Sequence, residues 1–360
     1  MAMRVIITGG GTGGHLFPGI ALATGLQRER AGCEVMFIGT KRQLDRNTLA
    51  NYDFTRASIS CMGLKGKGLV SRLQSLILLP GALLEAIRII KKFNPAFVFG
   101  VGGYVTGPVL LAAKLLRVPT YIHEQNSVPG LANRMISRFV DKVFVSIPGE
   151  YCFPPSKTVV SGNPVRTEIL EAARNKKEPA GDSLTILVLG GSLGAHRVNL
   201  LMLEAMEMVH GVDGLPITVI HQTGKADEDR VRGGYTTLGM QAEVAAFFTD
   251  MASLYARADI VVARAGATTL AELSVMGIGA VLIPYPYAAD DHQAKNAMYF
   301  VKGGGAVMYR EAELSGEKLA RALIQLLQSP EELHRLATNM KKMGKPDATR
   351  QILDHCLENY

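Results

Sequence analysis

Short unbroken apolar runs alternate along the chain with longer stretches whose apolar positions recur every three or four residues. The runs lie at Arg4–Thr8, Glu34–Ile38, Phe97–Phe99, Thr120–His123 and Lys142–Val145, then at Leu184–Leu189, Ile217–His221, Ile260–Ala263 and Ala280–Ile283. Each is bounded by turn residues and reads as a strand buried on both faces, the pattern of parallel sheets. The stretches between, such as Gly19–Arg30 and Asn199–Val209, read as helices. One plan occurs twice: strand, glycine turn, helix begins at Arg4 and again at Leu184. The alternation predicts two doubly wound α/β domains joined near Ser161-Gly162-Asn163-Pro164, with ligands gathered at strand C-termini in the cleft between domains. The expected division is residues 1–162, residues 163–340, and a tail of helical composition at 341–360 that can pack back on the N-terminal domain.

Length and composition fit that plan. At 360 residues the chain exceeds what one hydrophobic core usually organises. With 48% apolar and 20% charged residues it is neither disordered nor fibrous. Cys33, Cys61, Cys152 and Cys356 lie far apart with no C-x-x-C pair, which argues against a disulfide framework or structural zinc and suits a reducing compartment. The opening MAMRVIITGGG is too short in apolar residues for a signal peptide or a membrane span.

Charge is unevenly spread. Residues 1–162 hold 19 Lys and Arg against 8 Asp and Glu, the remainder 20 against 24. The basic half therefore suits an anionic surface, either nucleic acid or membrane, although unevenly solvated charge gives the same count. The lack of Trp, of a recognised binding motif and of a dense basic run disfavours nucleic acid.

Candidate chemistry centres on three glycine turns, each after a strand and before a helix: Gly9–His15, Gly100–Pro108 and Gly190–His196. Such a turn lets the backbone approach a ligand, and the helix N-terminus behind it attracts anions, so phosphate is the natural occupant. Tight strand-to-helix packing explains any one turn equally well. Gly9, Gly11 and Gly14 complete G-x-G-x-x-G, the nicotinamide-dinucleotide pattern. The ribose-binding acid of that pattern is missing, however, since the second strand ends Phe37-Ile38-Gly39-Thr40 and its counterpart ends His221-Gln222-Thr223.

Several strings, in order across nearly the whole chain, resemble the MurG family of glycosyltransferases. They are Gly10-Gly11-Thr12-Gly13-Gly14-His15, Gly102-Gly103-Tyr104-Val105-Thr106-Gly107-Pro108, His123-Glu124-Gln125-Asn126, Gly162-Asn163-Pro164-Val165-Arg166, Gly190-Gly191-Ser192-Leu193-Gly194-Ala195, Arg264-Ala265-Gly266-Ala267-Thr268-Thr269 through Glu272, and the stretch around Gln293 and Asn296. The resemblance implies the GT-B fold, two Rossmann-like domains with an interdomain cleft. It implies an inverting transferase, without cofactor or metal, that moves N-acetylglucosamine from UDP-GlcNAc to the C4 hydroxyl of a polyprenyl-diphosphate-linked muramyl-pentapeptide in peptidoglycan synthesis. It also implies peripheral attachment at the cytoplasmic face of the plasma membrane.

Carried onto this sequence, the donor side comprises Thr12, Gly13, Gly14, Asn126, Arg166, Ser192, Phe248, Ala267, Thr268, Thr269, Glu272 and Gln293. Ser192 with its turn amides and Arg166 suit the diphosphate. Glu272, one turn into a helix, suits both ribose hydroxyls, though a glutamate there is often simply solvated. Backbone groups at Phe248 would read the uracil. Gly103, Tyr104 and Asn133 fall on the acceptor side. His15 is the leading general base, since imidazole changes charge near neutrality, and hydrogen bonding to substrate is its competing role. Glu124 is the second candidate base, or a group that positions the acceptor. His292 stands where the family often carries a second glutamine, which leaves sugar contacts there open. Asp227-Glu228-Asp229 reads as solvated surface, and neither it nor Asp290-Asp291-His292 is assigned a metal.

The segment Leu64–Phe93, apolar with interspersed Lys and Arg and interrupted by Pro80-Gly81, is the candidate membrane contact or else an ordinary pair of packed helices. Three other functions share most of these features: another UDP-sugar-to-lipid transferase, a non-hydrolysing UDP-sugar epimerase, and a non-catalytic nucleotide-sugar-binding protein.

Overall fold

The computed structural model describes residues 2–10, 13–39, 49, 52–61, 69–176, 183–191, 194–212, 214–358 and 360, with the side chains of 69–77 outside that description. The chain divides into two compact units, Met1–Thr167 with Pro346–Tyr360, and Glu168–Lys345. The division thus falls just past the Ser161–Pro164 stretch, and the last residues return to the first unit.

The first unit runs β1 (Arg4–Thr8), α1 (Gly13–Glu29), β2 (Glu34–Gly39), β3 (Thr55–Ser58), α2 (Leu69–Phe93), β4 (Phe97–Gly100), α3 (Thr106–Leu115), β5 (Thr120–Glu124), α4 (Leu131–Ile136), β6 (Lys142–Val145) and β7 (Thr158–Val160). Its seven strands are ordered β3-β2-β1-β4-β5-β6-β7, and every pairing is parallel. Alternate residues of β1 serve opposite faces: Val5 and Ile7 join one core with Leu16 and Ile20 of α1, while Ile6 joins another with Ala86 and Ile90 of α2 and Val109 of α3. Burial on both faces is why the inner strands are continuous apolar runs. Helix α2 continues through Pro80 as one helix, so the expected interruption at Pro80-Gly81 is not a helix boundary.

The second unit opens within α5 (Thr167–Asn175) and continues β8 (Leu184–Leu189), α6 (His196–Val209), β9 (Ile217–Gln222), α7 (Glu228–Thr237), β10 (Ala242–Ala245), α8 (Met251–Arg257), β11 (Ile260–Ala263), α9 (Ala267–Met276), β12 (Gly279–Leu282), α10 (His292–Lys302), β13 (Ala306–Met308), α11 (Gly316–Leu327) and α12 (Pro330–Lys342). Its sheet is also all parallel, ordered β10-β9-β8-β11-β12-β13. Ile186 and Val188 of β8 pack with Val198 and Met202 of α6 and with Leu319 and Leu323 of α11. The final helix, α13 (Ala348–Leu357), buries Ile352, Leu353 and Cys356 fully in the α1-side core of the first unit. Burying such a side chain contributes roughly 1.5–3 kcal/mol, which is what holds the end of the chain there. Both units are Rossmann-like, and their strand orders put a switch point between β1 and β4 in the first and between β8 and β11 in the second.

Candidate active site

At a switch point the chain leaves two neighbouring strands in opposite directions, which opens a crevice outside their C-terminal ends. In the first unit the turns after β1 and β4 meet there. Gly103 has φ +86°, and a Cβ on it would stand 2.7 Å from the Gly10 carbonyl oxygen, so only glycine fits the crossing. Its neighbour Gly102 carries the ring of His15, whose Nδ1 lies 2.9 Å from where a Gly102 Cβ would sit. Thr106 Oγ1 closes the turn by donating to the Gly102 carbonyl at 2.9 Å. Gly13 and Gly14 begin α1, whereas Thr12 lies outside the described residues.

The end of β5 supplies the next groups. His15 Nδ1 is 3.1 Å from Gln125 Oε1, and Gln125 Nε2 donates to the Val101 carbonyl at 2.8 Å and meets His123 Nδ1 at 3.2 Å. His123 is fully buried, with Nε2 3.0 Å from the Gly162 carbonyl and 3.2 Å from Ser146 Oγ. Burial pushes its pKa down to about 4, overriding the opposing effect of the Gly162 hydrogen bond. Gln125 entered the sequence reading only as part of the His123–Asn126 string. Its role shows once β4 and β5 are paired.

Glu124 is 1% exposed. Its Oε1 accepts from Asn126 N at 3.0 Å and Asn126 Nδ2 at 3.3 Å, and its Oε2 from Gly130 N and Asn133 Nδ2, both at 2.9 Å. These four bonds occupy the acceptor capacity of a carboxylate. In this structure Glu124 braces the loop between β5 and α4. Asn133, buried on α4, donates its amide nitrogen to Glu124 and to the His123 carbonyl at 3.2 Å, so that nitrogen belongs to the brace, while its Oδ1 has no hydrogen-bond partner among the described residues. Asn126 and Tyr104 are half-buried at the same rim. Arg166, which the sequence division put in the second domain, belongs to the first unit, with its guanidinium 4.6 Å over the Phe17 ring of α1.

In the second unit the turn after β8 is tied to its neighbours. Gly194 has φ +79°, and a Cβ would stand 2.4 Å from the Thr223 carbonyl oxygen. Gln222, at the end of β9, donates to the Gly191 carbonyl at 3.2 Å and accepts from Phe248 N at 3.1 Å, joining the glycine turn to the loop after β10. Ser192 lies outside the described residues.

Across the switch point, α9 starts at Ala267 with Gly266 as its N-cap, a residue with no side-chain acceptor, and Thr268 and Thr269 complete its first turn. Glu272 is buried rather than solvated, and its Oε2 accepts from the Tyr255 hydroxyl at 3.0 Å. Gln293, half-buried on α10, accepts from Tyr285 N at 2.9 Å, and buried Asn296 donates to the Ala265 carbonyl at 3.3 Å. Arg264 holds the same rim together, donating to the Ile283 and Pro284 carbonyls and pairing with Glu311 at 2.5 Å.

One acidic string departs from the expected solvated surface, and at its first residue only. Asp227 is buried, accepts from Asn199 Nδ2 at 2.9 Å and pairs with His196 Nδ1 at 2.9 Å. Burial alone would raise its pKa, but the bonds from His196 and Asn199 hold the carboxyl below its usual range. Asn199 connects onward to His221, which meets the Tyr235 hydroxyl at 2.9 Å. This network lies beneath the turn before α6, and spacing alone did not reveal it. Asp291 is taken up by Arg310 in a two-pronged pair.

Comparisons with known proteins add to this geometry. Residues 5–145 match the glycosyltransferase family 28 N-terminal domain, and residues 185–352 match the family 28 C-terminal domain. The UDP-N-acetylglucosamine--N-acetylmuramyl-(pentapeptide) pyrophosphoryl-undecaprenol N-acetylglucosamine transferase of Desulfotalea psychrophila is 48% identical, over 98% of this chain and 96% of its own length. Among solved structures, MurG of Acinetobacter baumannii superposes with a TM-score of 0.79 at 30% identity, over 99% of each chain. A putative UDP-N-acetylglucosamine 2-epimerase of Listeria monocytogenes has a TM-score of 0.67 at 15% identity, over 100% of this chain and 98% of its own, a likeness of fold alone.

Proposed function

The chain belongs to glycosyltransferase family 28, and from that membership we propose that it transfers N-acetylglucosamine from UDP-N-acetylglucosamine to the lipid-linked muramyl-pentapeptide of peptidoglycan synthesis. The observation that carries this reading is the presence of one glycine-lined switch point in each unit, on a chain whose relatives of that activity match it end to end. The epimerase alternative shares the fold, but at 15% identity against 48% for the transferase of Desulfotalea psychrophila.

The donor belongs to the second unit. The diphosphate takes the turn after β8 and the start of α9, where backbone N–H groups and helix dipoles receive negative charge. Glu272 accepts the ribose hydroxyls, with Tyr255 steering its carboxylate. The Phe248 backbone reads the uracil, and Gln222 fixes that strand end. Gln293 of this unit is assigned to the sugar, and in the first unit Asn126 and Arg166 are kept as donor-side candidates, Arg166 for its charged fork. The acceptor and the base belong to the first unit, with Gly103 and Tyr104 lining the acceptor side. His15 takes the proton of the attacking C4 hydroxyl as the new O4–C1 bond forms and the C1–diphosphate bond breaks, with inversion and with UDP leaving. Glu124 and Asn133 support that site as its brace.

Membrane docking is assigned to the first unit. Residues 64–68 of the expected segment, and the side chains of Leu73, Leu76 and Ile77, lie outside the described residues. Leu78, Leu79 and Leu84 of α2 are exposed, as are Leu115, Met135 and Phe139 on or beside α3 and α4, at 38–62%. Helix α3 packs against both α2 and α4, and Arg88, Arg117 and Arg138 are interspersed in the sequence. Apolar insertion with about 1 kcal/mol per nearby basic residue suits the anionic cytoplasmic face of the plasma membrane. Among the described residues no helix is long and apolar enough to cross a membrane.

The test is transfer of radiolabelled GlcNAc from UDP-GlcNAc to a soluble-chain lipid I analogue, with EDTA present and UDP-GalNAc as a parallel donor. GlcNAc-selective transfer is expected. Conversion of the donor without acceptor would move the assignment to an epimerase, and tight UDP-GlcNAc binding without transfer would move it to another acceptor.

A further inference from the structure

We propose that Gln125 is a positioning residue that fixes the tautomer of His15, holding its proton on Nδ1 and leaving Nε2 as the basic nitrogen. The proposal deepens the reading of His15 as the base that receives the acceptor's hydroxyl proton, and rests on it.

Donors and acceptors along the chain Val101–Gln125–His15 can run in only one direction. A backbone carbonyl only accepts, so the Gln125 atom 2.8 Å from the Val101 carbonyl is the amide nitrogen. The second proton of that nitrogen meets His123 Nδ1 at 3.2 Å, which requires a lone pair there and puts the His123 proton on Nε2, toward the Gly162 carbonyl at 3.0 Å. Burial keeps His123 neutral at physiological pH, so this orientation persists. The other end of the amide is an oxygen, also acceptor-only, 3.1 Å from His15 Nδ1. His15 must therefore carry its proton on Nδ1. In the neutral ring the lone pair is then on Nε2, which has no hydrogen-bond partner among the described residues.

The lock matters because an unconstrained imidazole in water favours the opposite tautomer, with Nε2 already protonated and unable to act as a base. During transfer the hydroxyl proton passes to Nε2, and the resulting imidazolium keeps its Nδ1–H on Gln125 Oε1. Gly102 contributes by admitting the ring: a side chain there would stand 2.9 Å from His15 Nδ1 and displace it from the amide.

The experiment uses the full chain labelled with ¹⁵N-histidine, without substrate at neutral pH, with the His15 signals assigned by their loss in His15→Gln. The expected spectrum has a protonated Nδ1 and an unprotonated Nε2. In Gln125→Met the Nε2-protonated form should grow in, kcat should fall about 100-fold or more, and KM for UDP-GlcNAc should stay within about twofold because the amide touches no donor group. A wild-type His15 protonated on Nε2 overturns the proposal, and that spectrum decides it even if Gln125→Met does not fold. A tautomer change without loss of kcat overturns the positioning role. Protonated Nδ1 in an enzyme that transfers no GlcNAc supports the lock and refutes the functional reading on which its purpose rests.

Discussion

Substituting Glu124→Gln separates a brace from a base. The carboxylate receives two donors on each oxygen: Asn126 N and Nδ2 on one, Gly130 N and Asn133 Nδ2 on the other. A glutamine can keep its oxygen toward Gly130 and Asn133, the more deeply buried side. Its NH2 then faces the Asn126 donors. Asn126 N then meets that NH2 donor to donor and loses the Glu124 acceptor it has in the wild type. An unsatisfied donor in a part-buried position costs about 1–3 kcal/mol, and for a unit of this size 1 kcal/mol shifts the midpoint by roughly 2–4 °C. The expected outcome is a first-unit transition lowered by about 2–12 °C, with kcat within about tenfold of wild type once the temperature is kept well below it. Glu124→Ala removes all four acceptor contacts and should destabilise by about 3–5 kcal/mol. The assay pairs thermal unfolding with radiolabelled transfer. A Glu124→Gln protein of undiminished stability that loses a thousandfold or more in kcat would refute the brace and restore Glu124 as the base.

Three further outcomes are expected. Glu272→Gln keeps the Tyr255 contact but loses one ribose acceptor, so UDP-GlcNAc affinity by calorimetry should fall about tenfold; unchanged affinity removes Glu272 from the donor site. His123 titrates near 4 in the folded state against 6.5 for the free side chain, so between these values the unfolded chain binds the extra proton. Stability from this group is complete above pH 6.5 and declines as pH falls toward 4, by about 3 kcal/mol; urea midpoints for the first unit that are equal at pH 7 and pH 4.5 would contradict its burial in the neutral form. The double variant Leu79→Ser, Leu84→Ser should reduce co-sedimentation with phosphatidylglycerol vesicles by about tenfold or more, at roughly 1 kcal/mol for each partly exposed leucine, while UDP binding is unchanged; retained co-sedimentation would take the docking face elsewhere.

Every interior strand of both sheets, the two doubly wound units and the glycine turns at their switch points are legible in the amino-acid order alone. Interior strands are covered on both faces, so each must be a continuous apolar run, and a run of that kind is visible without knowing its neighbours. The strands it did not reveal, Thr55–Ser58, Thr158–Val160, Ala242–Ala245 and Ala306–Met308, are the four sheet edges. They are short and covered on fewer sides, so Thr-Arg-Ala-Ser or Ala-Glu-Val-Ala carries no distinctive pattern. Pro80 misled because the helix runs through it, and its buried face, at Ala82, Ala86 and Ile90, lies C-terminal to the proline.

The candidate site divides the same way. Glycine turns are legible because backbone geometry demands the residue locally. The bonds of a polar side chain are not, because they depend on what folding brings beside it. His15 and Gln125 are 110 positions apart, and His196 and Asp227 are 31 apart. Whether Glu124 is a base or a brace depends on donors from Gly130 and Asn133 that reach it only when the loop after β5 closes. Sequence set which chemical groups are present. Which of them meet a partner follows from the folded chain, because in a buried site each polar group is defined by the donor or acceptor opposite it.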